Sequence, residues 1–193
     1  MLKRGTPPGS RERSPNVLIV LSPAKRLDFE RDERSLPLTQ PALIQDAAGL
    51  MQVSKSLRAE DLQELMGISS ALAELNHDRF QSMDPEGAPE RSKPAALAFR
   101  GDVYQGLDAD SLSDADLSWA QTRMGILSGL YGILRPLDLI QPYRLEMGTR
   151  LENPRGPNLY AYWGTRVSDE VHERLKGHEA PLVVNLASNE YFN

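Results

Sequence analysis

The sequence predicts an α/β fold, a mixed sheet with surrounding helices. Three short apolar runs read as buried strands: VLIVL (17–21), AALAF (95–99) and PLVVNLA (181–187). Between them lie stretches whose apolar residues recur at helical spacing. Strands separated by helices lead to a partly parallel sheet. A hydrophobic content of 40% over 193 residues is enough for one core.

Residues 1–16, MLKRGTPPGSRERSPN, hold Lys3, Arg4, Arg11 and Arg13 among Gly, Pro and Ser, with no apolar segment. They read as a disordered N-terminal extension or a misassigned start, without the apolar h-region of a secretory signal. The single α/β domain starts at Val17 and takes in 17–193. Ser22-Pro23 ends the first strand, and a charged, proline-bounded loop follows. Pro41 suits a first helical position, with Leu43, Ala47, Leu50 and Met51 spaced for one face. Further helices are predicted over Ala59 to Met66 and Ile68 to Met83. DPEGAPERSKP is a loop, and AALAF then delivers RGDVYQG. Ser113 with Asp116 forms a capping-box pair opening the next helix. MGILSGLYGIL (124–134) reads as strand, turn and short helix. One helix is expected from Leu159 to Leu175, before the third strand.

Composition excludes several chemistries. No cysteine means no disulfide, thiolate metal site or cysteine nucleophile. His77, His172 and His178 show no i, i+4 pairing, so no zinc site is expected. The reading assigns no metal and no cofactor. The longest apolar runs fall far short of the about 20 residues that span a bilayer. The chain therefore reads as soluble and cytoplasmic, with no membrane partner. A net charge of −5 argues against a generally basic nucleic-acid binder. Charge is uneven, however. Glu60 to Thr122 holds 13 acids against four bases, whereas Arg123 to Arg155 holds five arginines against three acids. A polyanion would be met in or just after SGLYGILRPLDLIQPYRLEMG (128–148).

Polar motifs follow each apolar run: Ser22-Pro23-Ala24-Lys25, the RGDVY motif (100–104), and NLASNEY (185–191). Parallel strands would bring Lys25, Arg100, Asp102, Tyr104, Asn185, Ser188 and Glu190 to one edge, where open α/β sheets bind ligands. Such a set can hold a phosphate or carboxylate beside an acid or base. The plainer reading makes these residues turn formers and helix caps. No P-loop, nucleophile elbow or dinucleotide fingerprint fixes a reaction class.

Gly129 and Gly132, followed by Arg135-Pro136, fit a short helix, glycine turn and short helix gripping phosphate through free amides. They fit equally a packed turn beneath the core. Residues 141–148 read as extended, with Tyr143, Leu145 and Met147 on one face and Arg144 and Glu146 on the other. The latter two form either a surface ion pair or part of a cleft with Lys25 and Asp102. LYAYWG (159–164) is a core aromatic cluster or, alternatively, a base-stacking surface.

Together, LSPAK, FRGDVY, LSGLYGILRPLDLIQPYRLEMGTRLEN, LYAYWG and NLASNEYF, in this order, resemble the bacterial peroxide-stress protein YaaA family over Val17 to Asn193. The resemblance implies a YaaA-like fold with a helix-hairpin-helix-like element near Leu127 to Leu139. It also implies a family C-terminal portion beyond residue 193. It implies peroxide defence with less free iron and less oxidative DNA damage, exercised through double-stranded DNA. Carried onto this chain, Gly129, Gly132 and Arg135 would contact phosphates, and Lys25, Arg100 and Arg144 would line a basic cleft. The leading reading is thus a non-enzymatic DNA-binding stress protein. The alternative is an enzyme acting on a small phosphorylated or nucleotide-like ligand, an anion, with Asp102, Tyr104, Glu146 and Glu190 as candidate catalytic groups.

Overall fold

The computed structural model describes residues 17–30, 34–176 and 181–191. The segment 1–16, expected to be a disordered extension, lies outside the described residues. In chain order, β1 (Val17–Leu21) and β2 (Arg26–Leu27) precede three helices, α1 (Ile44–Lys55), α2 (Ala59–Met66) and α3 (Ser70–Ser82). Next come β3 (Lys93–Pro94), α4 (Ala95–Ala98), β4 (Phe99–Arg100), α5 (Asp102–Leu107) and α6 (Asp114–Gln121). β5 (Met124–Ser128), β6 (Gly132–Leu134) and β7 (Leu139–Ile140) follow, then α7 (Leu159–Trp163), α8 (Arg166–Leu175) and β8 (Leu182–Asn185).

The main sheet has the order β6-β5-β1-β8. β1 pairs in parallel with both β5 and β8, while β5 and β6 are antiparallel. The sheet is therefore mixed, as the sequence predicts. Helical expectations hold where capping chemistry or periodicity is clear. Asp116 N donates to Ser113 Oγ, and Ser113 N donates to the Asp116 carboxylate, both at 3.2 Å. Ser69 and Asn158 likewise cap α3 and α7.

Three expectations are corrected. AALAF is not a sheet strand: Ala95–Ala98 turn as a fully buried helix, and only Phe99 and Arg100 extend, pairing with β2 in a separate ribbon. A short buried apolar run fits either state, and alanine favours the helix. MGILSGLYGIL contains no second-half helix. It is a β-hairpin in which Ile126, Leu127 and Ser128 face Leu134, Ile133 and Gly132. Gly132 takes φ +72°, the left-handed geometry that three-residue hairpin loops favour. Finally, the helix expected over 159–175 breaks at Gly164, whose φ is +49°.

The core lies between the sheet and α1–α4, and includes Leu50, Met51, Phe80, Phe99, Ile126 and Tyr131. The β5–β6 hairpin is fastened into it. Trp163 Nε1 donates to the Gly129 carbonyl at 3.0 Å, and Tyr131 N donates to Ser128 Oγ at 2.9 Å. A side chain at Gly129 would run into the Leu145 carbonyl. One at Gly132 would sit 2.9 Å from both Leu43 and the Trp163 ring.

Asp28 ties the small ribbons together. It holds Arg100 at 2.8 Å and Lys93 at 3.5 Å. The Glu30 amide donates to the Asp28 carboxylate at 2.8 Å and is the main reason its pKa falls below the ordinary 3.8. Burial opposes that shift; the Arg100 hydrogen bond and the Lys93 and Arg100 charges add to it.

Two outcomes follow for stability. Gly129→Ala should lower the unfolding free energy by about 2–3 kcal/mol, read from urea melts, because backbone must move to admit the methyl. Because the folded pKa of Asp28 is depressed, its stabilisation is complete above the unfolded value and lost as pH falls through the folded one. The urea-midpoint gap between wild type and Asp28→Asn should therefore be widest near pH 6 and shrink towards about pH 3.

Candidate functional site

The C-terminal ends of β1 and β8 lie side by side, since Val20 pairs with Asn185. Leu186 N continues the contact with a hydrogen bond to Val20 O at 2.9 Å. This delivers the Ser22–Lys25 turn and the Ser188–Tyr191 turn to one place. Ser188 N donates to Ser22 Oγ at 2.9 Å, and Ser22 Oγ donates to Ser188 Oγ at 3.3 Å. The Tyr104 hydroxyl donates to Ser22 O at 2.9 Å and braces the first turn from below.

The third wall is the extended segment 141–148. Burial alternates along it: Tyr143, Leu145 and Met147 are buried, whereas Arg144 and Glu146 are partly exposed. The expected two-faced pattern holds, with one difference. The segment is not hydrogen-bonded as a regular strand, and Tyr143 and Leu145 also line the opening. The Tyr143 hydroxyl shares a 2.6 Å hydrogen bond with Ser128 Oγ, which anchors the segment to the end of β5.

These walls enclose a cleft of about 240 Å³. Within it, Glu146 Oε1 receives both Lys25 Nζ at 3.1 Å and Arg144 Nη2 at 3.3 Å. The Lys25 side chain is 67% exposed and that of Arg144 only 19%. Arg144 Nε is buried and finds no hydrogen-bond partner among the described residues. Glu190 also lines the cleft, and its Oε1 accepts the Gly148 amide at 3.0 Å. The Tyr160 hydroxyl fixes the Glu190 carbonyl at 2.7 Å. Burial pushes the Tyr191 phenol well up, and the nearby Glu190 and Glu146 charges push the same way. Tyr143, wholly buried, is raised mainly by desolvation. Both phenols are therefore hydrogen-bonding groups in the cleft wall, not ready proton acceptors.

The structure thus gathers Lys25, Arg144, Glu146 and Glu190, together with Ser22 and Ser188. The other candidate residues lie elsewhere. Arg100 is held by Asp28 and, at 3.0 Å, by Asp110, and does not line the cleft. Asp102 is exposed at the start of α5, also off the cleft. Tyr104 supports the floor through Ser22 without lining it. Asn185, at the end of β8, is exposed outside the lining. Gly129 and Gly132 are buried in the hairpin described above. Arg135 is clamped to the fully buried Asp138 at 2.8 Å and donates to Gln40 O at 3.0 Å. The stretch Leu127 to Leu139 is hairpin and turn rather than a helix-hairpin-helix. LYAYWG packs as core: Tyr162 and Trp163 are buried edge-to-face, although Tyr160 is exposed.

Sequence reasoning missed Asp28, Asp110 and Asp138 as the partners that claim these arginines. Only Asp138 left a local signal, its i, i+3 spacing from Arg135. Among the described residues no cluster of His, Asp and Glu is arranged to hold a metal, and no helix is long and apolar enough to cross a membrane.

Comparison with known proteins agrees with the sequence motifs. The family model described as peroxide stress protein YaaA matches residues 17–193. A UPF0246 protein of Bordetella petrii is 53% identical over 176 residues, covering 91% of this chain and 69% of the relative. UPF0246 proteins of Leptothrix cholodnii and Albidiferax ferrireducens are 53% and 52% identical, each over 91% of this chain and 68% of their own length. A family match over residues 17–193 and relatives at this identity leave one assignment: the chain belongs to the peroxide stress protein YaaA family.

Proposed function

We propose that this chain serves the peroxide-stress response in the cytoplasm by binding a small phosphorylated or nucleotide-like ligand in the strand-end cleft. The observation that carries this reading is the convergence of Lys25, Arg144, Ser22 and Ser188 where β1 and β8 end. Strand ends of this kind are where open α/β sheets take ligands. Arg144 is largely buried, its Nη2 reaches Glu146 in the cleft, and a guanidinium held there is suited to a planar or tetrahedral anion. Glu146 and Glu190 supply acid or base groups beside the anion, should the bound ligand react.

Double-stranded DNA is the second reading, with limitation of iron-dependent oxidative damage as its outcome. The exposed Lys25 and the adjacent, exposed Arg26 favour it, since phosphate contacts need only accessible cations. Gly129, Gly132 and Arg135 add little to that reading, because burial and Asp138 occupy them.

Calorimetric titration with inorganic phosphate and adenosine monophosphate tests the first reading. Saturable binding is expected, weakened about tenfold by Arg144→Ala through loss of a charge-assisted hydrogen bond. No binding, or binding indifferent to Arg144→Ala, overturns it. Labelled duplex DNA titrated at low and moderate salt tests the second. Steep salt dependence and little sequence preference are expected of it. Affinity that responds neither to salt nor to Lys25→Ala with Arg144→Ala removes DNA from consideration.

A further inference from the structure

The cleft is not simply basic. Its charged lining is Lys25 and Arg144 against Glu146 and Glu190, two of each sign. Nor are the charges evenly shared. Both cations converge on one oxygen of Glu146, so that carboxylate offsets one of the two positive charges, and Glu190 brings the lining to zero. Glu190 has no cation partner among the described residues; its one hydrogen bond comes from the neutral Gly148 amide. A bare phosphate entering here would meet cations already shared with Glu146 and, in the same lining, the repelling carboxylate of Glu190. A ligand carrying its own positive charge would meet a complete set of partners.

We propose that the cleft is built for a zwitterionic ligand, a compact anion bearing a protonated amine. The anionic end pairs with Arg144 and Lys25, and the ammonium pairs with Glu190. This rests on the phosphate-ligand reading above and adds the requirement for a cation. A volume of about 240 Å³ fits such a ligand, being below the ~300–1,000 Å³ of typical drug-sized pockets. Ser22 and Ser188 add neutral polar groups to the same lining. Ammonium pairing with a partly shielded carboxylate both strengthens binding and rejects the uncharged analogue, because the carboxylate then stays unpaired.

The test uses 2-aminoethyl phosphate, its N-acetyl derivative and ethyl phosphate. Each is titrated into the full chain by calorimetry at fixed ionic strength with a chelator present. The amine-bearing ligand should bind about twofold to fivefold more tightly than either analogue lacking the ammonium, the range of one exposed ion pair. Glu190→Gln keeps the acceptor for the Gly148 amide and should erase that preference, leaving ethyl phosphate binding equal or stronger. Equal affinity for all three ligands overturns the proposal, and so does a preference that survives Glu190→Gln. The N-acetyl comparison needs no variant, so a poorly folding Glu190→Gln does not rescue the idea. If no ligand binds, the phosphate reading falls and takes this inference with it. If ethyl phosphate binds and the amine adds nothing, this inference falls alone. Tight binding of ethyl phosphate that appears only on adding magnesium would assign the positive charge to a metal and overturn the amine. Sedimentation with phosphatidylethanolamine vesicles separates a free ligand from a lipid headgroup. Recruitment to vesicles without binding of soluble 2-aminoethyl phosphate would overturn the soluble assignment.

Discussion

The parallel pairing of β1 with β8 is the contact on which the site depends. Residues more than 160 positions apart in the chain, Ser22 and Ser188, hydrogen-bond only because these strands end together. Parallel strands cannot be joined by a tight turn, so nearly all the helical mass of the domain lies in the connection between them. The core that this mass builds then braces the site. Tyr104 reaches Ser22 from α5, and Tyr143 reaches Ser128 from the 141–148 segment. The cleft is thus lined by three distant pieces of chain, none of which carries a site alone.

What was legible in the sequence divides along the same line. Local chemistry was readable: the Ser113–Asp116 capping box, the helix over Ala59–Met66, and the alternation of Tyr143, Leu145 and Met147 against Arg144 and Glu146. These depend on neighbours within a few residues. AALAF and SGLYGIL were misread in part because short buried apolar runs satisfy helix and strand alike, and tertiary contacts decide. The motifs did announce that Lys25, Arg144 and Glu190 would lie near one another, and they line one cleft. Which arginines were already taken was not legible. Asp28 lies 72 residues from Arg100, and no pattern in either segment announces the pair.

Electrostatics separates the two kinds of arginine in this molecule. Arg135 and Arg100 hold structure: each faces a carboxylate that is buried or partly buried, and freeing either would strand that charge. Lys25 and Arg144 instead share one carboxylate at the cleft, and the pairing of the 67% exposed Lys25 is the weaker of the two. An arginine-rich stretch is therefore not one surface. Within it, Arg135 is held by the fully buried Asp138, whereas Arg144 shares the part-exposed Glu146 with Lys25 in the cleft.

Gly129 sits where a grip on phosphate was expected and has a different consequence. Its bare α-carbon lets the Leu145 carbonyl lie directly against the hairpin, with no side chain between. Arg144 and Glu146 flank that point of contact, so the depth of their wall is fixed by the thickness of two backbones. A glycine outside the cleft lining thereby acts as a spacer of zero length, setting how closely the Arg144–Glu146 wall lies on the hairpin.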